Sequence, residues 1–122
     1  MFIKEMFYTR RQIYNELGGN LQAYLPVNKG RVVCACLTKD LNPTMPYTIL
    51  VGSGPRVKST AAMLCLQRDS IPVFLKESVH KWRYVGNYRV EKDSTAEDEI
   101  AQYAKLSGRT NISRVIHLAE VG

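Results

Sequence analysis

The sequence predicts an α+β domain in which one strongly curved mixed sheet, or a small β-barrel, is flanked by about three helices. Apolar, β-branched runs of strand length recur along the chain, and three segments with helical spacing interrupt them in the order α-β-β-α-β-β-α-β. At 122 residues the chain has the commonest size for one domain, so 1–122 is expected to be a single unit able to bury a core without metal or disulfide help.

The elements follow from local chemistry. Thr9 with Gln12 has the form of a capping box, and Ile13, Tyr14 and Leu17 make a short apolar stripe that stops at Gly18-Gly19, so a helix is expected at about 9–17. NLQAYLPVNKG holds too many breakers for regular structure and reads as a loop packed down by Tyr24 and Leu25. RVVCACLT reads as a buried strand near 31–38, LNPTMPY as an irregular connection, and YTILVG as a strand at about 47–51. Pro55 suits a first helical position, and Val57, Ala61, Leu64 and Cys65 share a face, which predicts a helix at about 55–67. IPVFLKE and KWRYVGNYRV read as two strands joined around Ser78 to His80. Ser94 with Glu97 forms a second capping box, Ile100, Tyr103, Ala104 and Ser107 form a stripe closed by Gly108, and NISRVIHLAEV reads as a last strand at about 112–120.

Charge is the first departure from the ordinary. Seventeen Lys and Arg against eleven Asp and Glu give a net +6, a balance that favours a polyanionic partner. No apolar run is long enough to span a bilayer or to act as a secretory signal, so a cytoplasmic protein without membrane association is expected. Cys34, Cys36 and Cys65 make an odd count, which argues for reduced thiols, and His80 and His117 lack ligand-like spacing, so neither a metal site nor a cofactor is expected.

No catalytic residue can be named, because HExxH, GxSxG and nuclease-like carboxylate clusters are all missing from the sequence. Asp93, Glu97, Asp98 and Glu99 gather near a helix start, where the macrodipole favours acids. VGSGPR places Gly52, Ser53 and Gly54 between a strand and a helix start; it is either a tight turn or an anion loop for a backbone phosphate. Arg10, Arg11, Arg31, Arg56, Lys58, Lys81, Arg83 and Arg89 are the candidate contacts to a nucleic-acid backbone.

Residues 81–90, KWRYVGNYRV, sharpen that idea. A regular strand would set Trp82, Tyr84, Gly86, Tyr88 and Val90 on one side and Lys81, Arg83, Val85, Asn87 and Arg89 on the other. The aromatic row must cover core for part of its length, so only one end of it can wall a base pocket, and Gly86 is the expected bulge or bend. Tyr24, Trp82, Tyr84, Asn87 and Tyr88 are the candidates for that pocket.

The succession YLP, GRVV, ILVG with GP, IPVFLK and WRYVGNYRV over residues 8–90 resembles modules that occur alone or beside HNH-type endonucleases in bacterial restriction and defence proteins, within the PUA-like superfamily that includes SRA and EVE domains. That resemblance implies a curved, barrel-like sheet and recognition of nucleic acid, in the first place DNA carrying a modified or flipped base held between aromatic side chains. No nuclease motif is present, so cleavage would come from a partner in trans. Two other readings stay open: an RNA-binding PUA-like module, and a small nucleotide-binding or enzymatic domain using VGSGPR.

Overall fold

The computed structural model describes all residues, Met1 to Gly122. In chain order the elements are β1 (Phe7–Tyr8), α1 (Arg10–Leu17), β2 (Val27–Asn28), β3 (Arg31–Val32), β4 (Ala35–Leu37), β5 (Thr48–Val51), α2 (Pro55–Leu66), β6 (Ile71–Ser78), β7 (Lys81–Ser94), α3 (Glu97–Ser107) and β8 (Arg114–Glu120). The main sheet runs β4-β6-β7-β8-β5, with β1 added beside β7, and β2 and β3 form a separate hairpin. Only the β4 and β6 pair is parallel. This is the curled mixed sheet with three helices that the sequence predicts.

Strand β7 organises the sheet. Its first half pairs with β6 and its second half with β8, so one 14-residue strand serves two neighbours in succession. A bulge precedes the change of partner at Tyr88: Phe74 pairs with Tyr84 and Val73 with Gly86, leaving Val85 as the extra residue. A bulge strengthens the local twist and bends the strand. It also reverses the pleat, because one added residue moves every later side chain to the other face. Trp82 and Tyr84 therefore pack with Ile13, Cys34, Cys36 and Phe74 beneath α1, whereas Val85, Tyr88 and Val90 join the larger core under α2. Gly86 is the hinge of this reversal, with a φ of +120° that only glycine adopts easily.

Both faces of the sheet are covered, which is why its strands read as apolar runs. On β6, Val73 and Leu75 face the larger core while Phe74 faces the smaller one; on β5, Ile49 and Val51 face the larger core while Leu50 meets Ile112 and Val115 beneath α3. Helix α1 has the complete capping box, Thr9 accepting from the Gln12 amide and Gln12 accepting from the Thr9 amide.

Several expectations require correction. The strand expected over 31–38 is two short strands, because Val33 N–H donates to Pro26 O rather than extending β3 into β4. The loop over 20–30 contains β2 at its end. Ser94 does not cap α3: it closes β7, its Oγ accepts from Ala96 N–H at 3.0 Å, and Ala96 is the N-cap residue without a side-chain cap. Strand β7 also runs well past Val90, through polar residues whose backbone pairs with β8.

Helix α3 is pinned to the sheet by His117 Nε2, which lies 2.5 Å from a Glu99 carboxylate oxygen. The hydrogen bond with His117 holds the Glu99 carboxyl below its ordinary value. A depressed carboxyl contributes stability that is present above its unfolded value and is lost as the pH falls through the folded one. In urea melts, Glu99→Gln should therefore flatten the fall in stability between about pH 5 and pH 3. Gly86→Ala should cost about 1–3 kcal/mol in the same assay, since a Cβ there would meet Glu120 Oε2 at 2.9 Å as well as the unfavourable φ.

Candidate functional site

The sheet's two terminal strands, β4 and β5, face each other across a cleft of ≈ 870 Å³. That volume lies within the range of small-molecule and cofactor sites, about 300–1,000 Å³. From β4 and its continuation come Cys36 and Thr38; from β5 and its continuation come Leu50 and the Gly52, Ser53, Gly54 turn. Asn42 ties the two edges together, its Oδ1 accepting from Leu50 N–H at 2.9 Å and its Nδ2 donating to Thr38 O.

The loop at 20–26 closes one side. Cys36 N–H donates to Tyr24 O and Val33 N–H to Pro26 O, so the loop is laid along the free edge of β4. Asn20 Oδ1 accepts from the Gln22 and Ala23 amides, and Arg10 donates to the carbonyls of Asn20 and Ala23 at 3.0 and 2.9 Å. Tyr24 is thereby held with its hydroxyl donating to Val57 O at 2.7 Å. Burial pushes the Tyr24 phenol up to about 12, so it stays a neutral donor. Its ring stands between the cleft and a second, more apolar cavity of ≈ 670 Å³ beside α2.

Trp82 is different. Its indole is 6% exposed, and the Arg10 guanidinium and the Lys76 ammonium lie 5.2 and 5.8 Å from its ring centroid. Those cations occupy the ring's π density. Trp82 is thus a wall beside two cations, and Tyr24 is the other large aromatic side chain of the cleft lining.

The charges of the cleft are one-sided. Arg10, Arg11, Lys76 and Arg109 line it together with His80, and no Asp or Glu does. None of these four cations has a carboxylate partner, whereas Arg31 pairs with Asp69, Arg83 with Glu77 and Glu5, Arg114 with Asp93, and Lys4 with Glu120. Arg109 donates to the carbonyls of Leu41 and Leu50, both at 2.9 Å, through one terminal nitrogen. Its other terminal nitrogen lies where a side chain at position 52 would reach, 3.4 Å from a Cβ built on Gly52. Burial pulls the guanidinium below its ordinary value and the nearby Tyr24 pulls it back.

Of the residues singled out in the sequence, the fold gathers Arg10, Arg11, Tyr24, Gly52, Ser53, Gly54 and Trp82 into the cleft. The others lie elsewhere. Tyr84 packs on Phe2 and Phe74 and donates to Asn87 Oδ1 at 2.7 Å, and Tyr88 is 3% exposed in the larger core. Tyr84 shares Trp82's apolar cluster, Asn87 and Tyr88 follow the bulge, and none of the three lines the cleft. Arg31 and Arg83 are neutralised by their carboxylates, Arg56 borders the second cavity, and Lys58, Lys81 and Arg89 are exposed outside the cleft lining. Sequence reasoning missed Thr38, Asn42, Lys76 and Asn111, and met Arg109 only as one of many basic residues spread over several elements. Gly52 was the available signal for Arg109, but only the pairing of Val51 with Arg114 brings that distant segment beside it.

The curled mixed sheet flanked by three helices has an SRA-like fold of the PUA-like kind. Among solved structures the chain is similar to the SRA domain of SUVH5, crystallised in complex with hemimethylated CG DNA, with a TM-score of 0.62 at 12% identity over 99% of this chain and 90% of that one. Residues 7–117 match the family model described as Domain of unknown function (DUF6697), and the chain belongs to that family. No curated protein sequence matches it.

Trp82 is the sole tryptophan, so its fluorescence reports on the cleft alone. Arg10→Met keeps the aliphatic stem but loses two charge-assisted bonds to loop carbonyls, each worth about 1.5–3 kcal/mol. The variant should lose stability on that scale in urea and emit at longer wavelength as water reaches the indole.

Proposed function

We propose that the protein is a non-catalytic DNA-binding domain that reads a base flipped out of the duplex into the cleft between β4 and β5. The observation that carries this reading is the cleft itself: four cations without carboxylate partners surround a fixed tyrosine ring. Lys and Arg at such a site engage phosphates and position a duplex, and an aromatic face receives a base taken out of the stack. The similarity to an SRA domain crystallised with hemimethylated DNA supports DNA over RNA and a modified base as the object of recognition.

Two exposed apolar side chains stand at the mouth of the cleft, Leu41 on the connection after β4 and Val79 in the turn between β6 and β7. Apolar wedges of this kind fill the gap left when a base step is opened. His80 and Lys76 lie on the same side as Val79 and are placed for the flanking phosphates.

The resemblance to modules that accompany HNH-type endonucleases supports a restriction or defence setting, with strand cleavage supplied by another polypeptide. A reducing, cytoplasmic location accords with three free cysteines, two of them buried. No helix is long and apolar enough to cross a membrane.

Titrating labelled duplexes at several salt concentrations tests the reading. Affinity should fall with salt with a logarithmic slope of about −0.9 per phosphate contacted. The pair Arg11→Gln with Lys76→Gln should reduce that slope by about 2, while Arg31→Gln, whose charge Asp69 already compensates, should leave it unchanged. Absence of binding at about 50 mM salt, or equal loss from the Arg31 variant, would refute the assignment; preference for RNA of matched sequence would redirect it.

A further inference from the structure

Reading a base makes no use of the two thiols at the wall of the cleft. Cys34 Sγ and Cys36 Sγ lie 3.9 Å apart, and both side chains share an apolar cluster with Ile13, Phe74 and Trp82. They differ in reach: Cys36 lines the cleft, whereas Cys34 is fully buried and does not.

They differ also in how readily they give up a proton. The hydrogen bond from Cys34 holds the Cys36 thiol below its ordinary value against the opposing effect of burial, and the nearby Arg10 guanidinium adds to the lowering. The same bond, with burial, pushes the Cys34 thiol up. Arg10 Nε is buried without a hydrogen-bond partner, so a positive donor stands uncommitted near the pair. The thiolate is the nucleophilic form of cysteine, and cationic surroundings favour it.

The backbone allows the two sulfurs to join. β3 ends at Val32 and β4 starts at Ala35, so Cys34 belongs to neither strand. Two steps of extended chain span about 6.6 Å, within the range of about 4.4–6.8 Å between the Cα atoms of a disulfide. The sulfurs then have to close from 3.9 Å to about 2.05 Å.

We propose that Cys34 and Cys36 form a peroxide-reactive pair that closes into a disulfide at the cleft wall, with Cys36 attacking and Cys34 resolving. The oxidant is a small hydroperoxide, since Cys36 is only 3% exposed. With hydrogen peroxide, the Cys36 thiolate attacks one oxygen, the O–O bond breaks, and Cys36 becomes a sulfenic acid as hydroxide leaves and takes up the proton that Cys36 released. The Cys34 sulfur then attacks the Cys36 sulfur, the S–O bond breaks, and the oxygen leaves as water with the Cys34 proton. Two thiols and one peroxide thus give one disulfide and two waters.

Peroxide treatment of the reduced full chain, followed by alkylation and tryptic digestion, provides the test. Cleavage after Arg31 and Lys39 yields residues 32–39 with both thiols, and cleavage after Lys58 and Arg68 yields residues 59–68 with Cys65 as an internal reference. The first fragment should lose two hydrogens and escape alkylation about tenfold faster than Cys65 is oxidised, because burial pushes the Cys65 thiol up. Cys34→Ala should stop the reaction at a sulfenic acid that a 1,3-dione captures on Cys36, and Cys36→Ala should leave Cys34 reduced. Retention of both thiols in residues 32–39 while Cys65 oxidises would overturn the proposal, and that outcome is read on the native chain whether or not the variants fold. Capture of a sulfenic acid on Cys34 in Cys36→Ala would overturn it too. Neither result bears on DNA binding by the reduced chain.

Discussion

The bulge at Val85 and Gly86 is the constraint on which the molecule depends. A sheet of five consecutive strands cannot bring its first and last members face to face by twist alone. β7 does so by bending just before it exchanges β6 for β8 at Tyr88, and the bend needs a residue able to hold a φ of +120°. Without the extra residue, Trp82, Tyr84 and Tyr88 would share a face, and the two apolar clusters on opposite sides of the sheet would compete for one row of side chains. The bulge divides the row, giving the first half to α1 and the second to α2.

Much of this architecture can be read from the sequence because its signals are local. The Thr9 and Gln12 box, Pro55 at the start of α2 and Gly108 in the left-handed region at the end of α3 act within one turn of backbone. Ser94 misleads because its spacing to Glu97 fits a cap, while backbone pairing with Val115 keeps it in the strand. The break between β3 and β4 is equally invisible, since it depends on Pro26 O accepting from Val33 across the hairpin.

The site was half legible for a similar reason. Aromatic and basic residues announce themselves by type, but whether a cation is free depends on which acid the fold sets beside it. Arg83 stood out in KWRYVGNYRV, and Glu5 and Glu77 converge on it from β1's approach and from β6. Lys76 looked like the end of a core strand, and no acid reaches it. Pairing of exposed ions contributes little to stability, so its consequence here is local: no cation that lines the cleft has a carboxylate beside it.

Trp82 and Tyr24 both line the cleft, and Trp82 is the one with cations over its ring. Four like charges in one concavity repel one another, and a cation over an indole face is stabilised without losing its charge. Trp82 therefore lets Arg10 and Lys76 remain close and cationic where a carboxylate would have neutralised them. Arg10 in turn anchors the loop that carries Tyr24. Trp82 thus supports Tyr24 through Arg10, which packs on the indole and ties down the loop that carries the tyrosine.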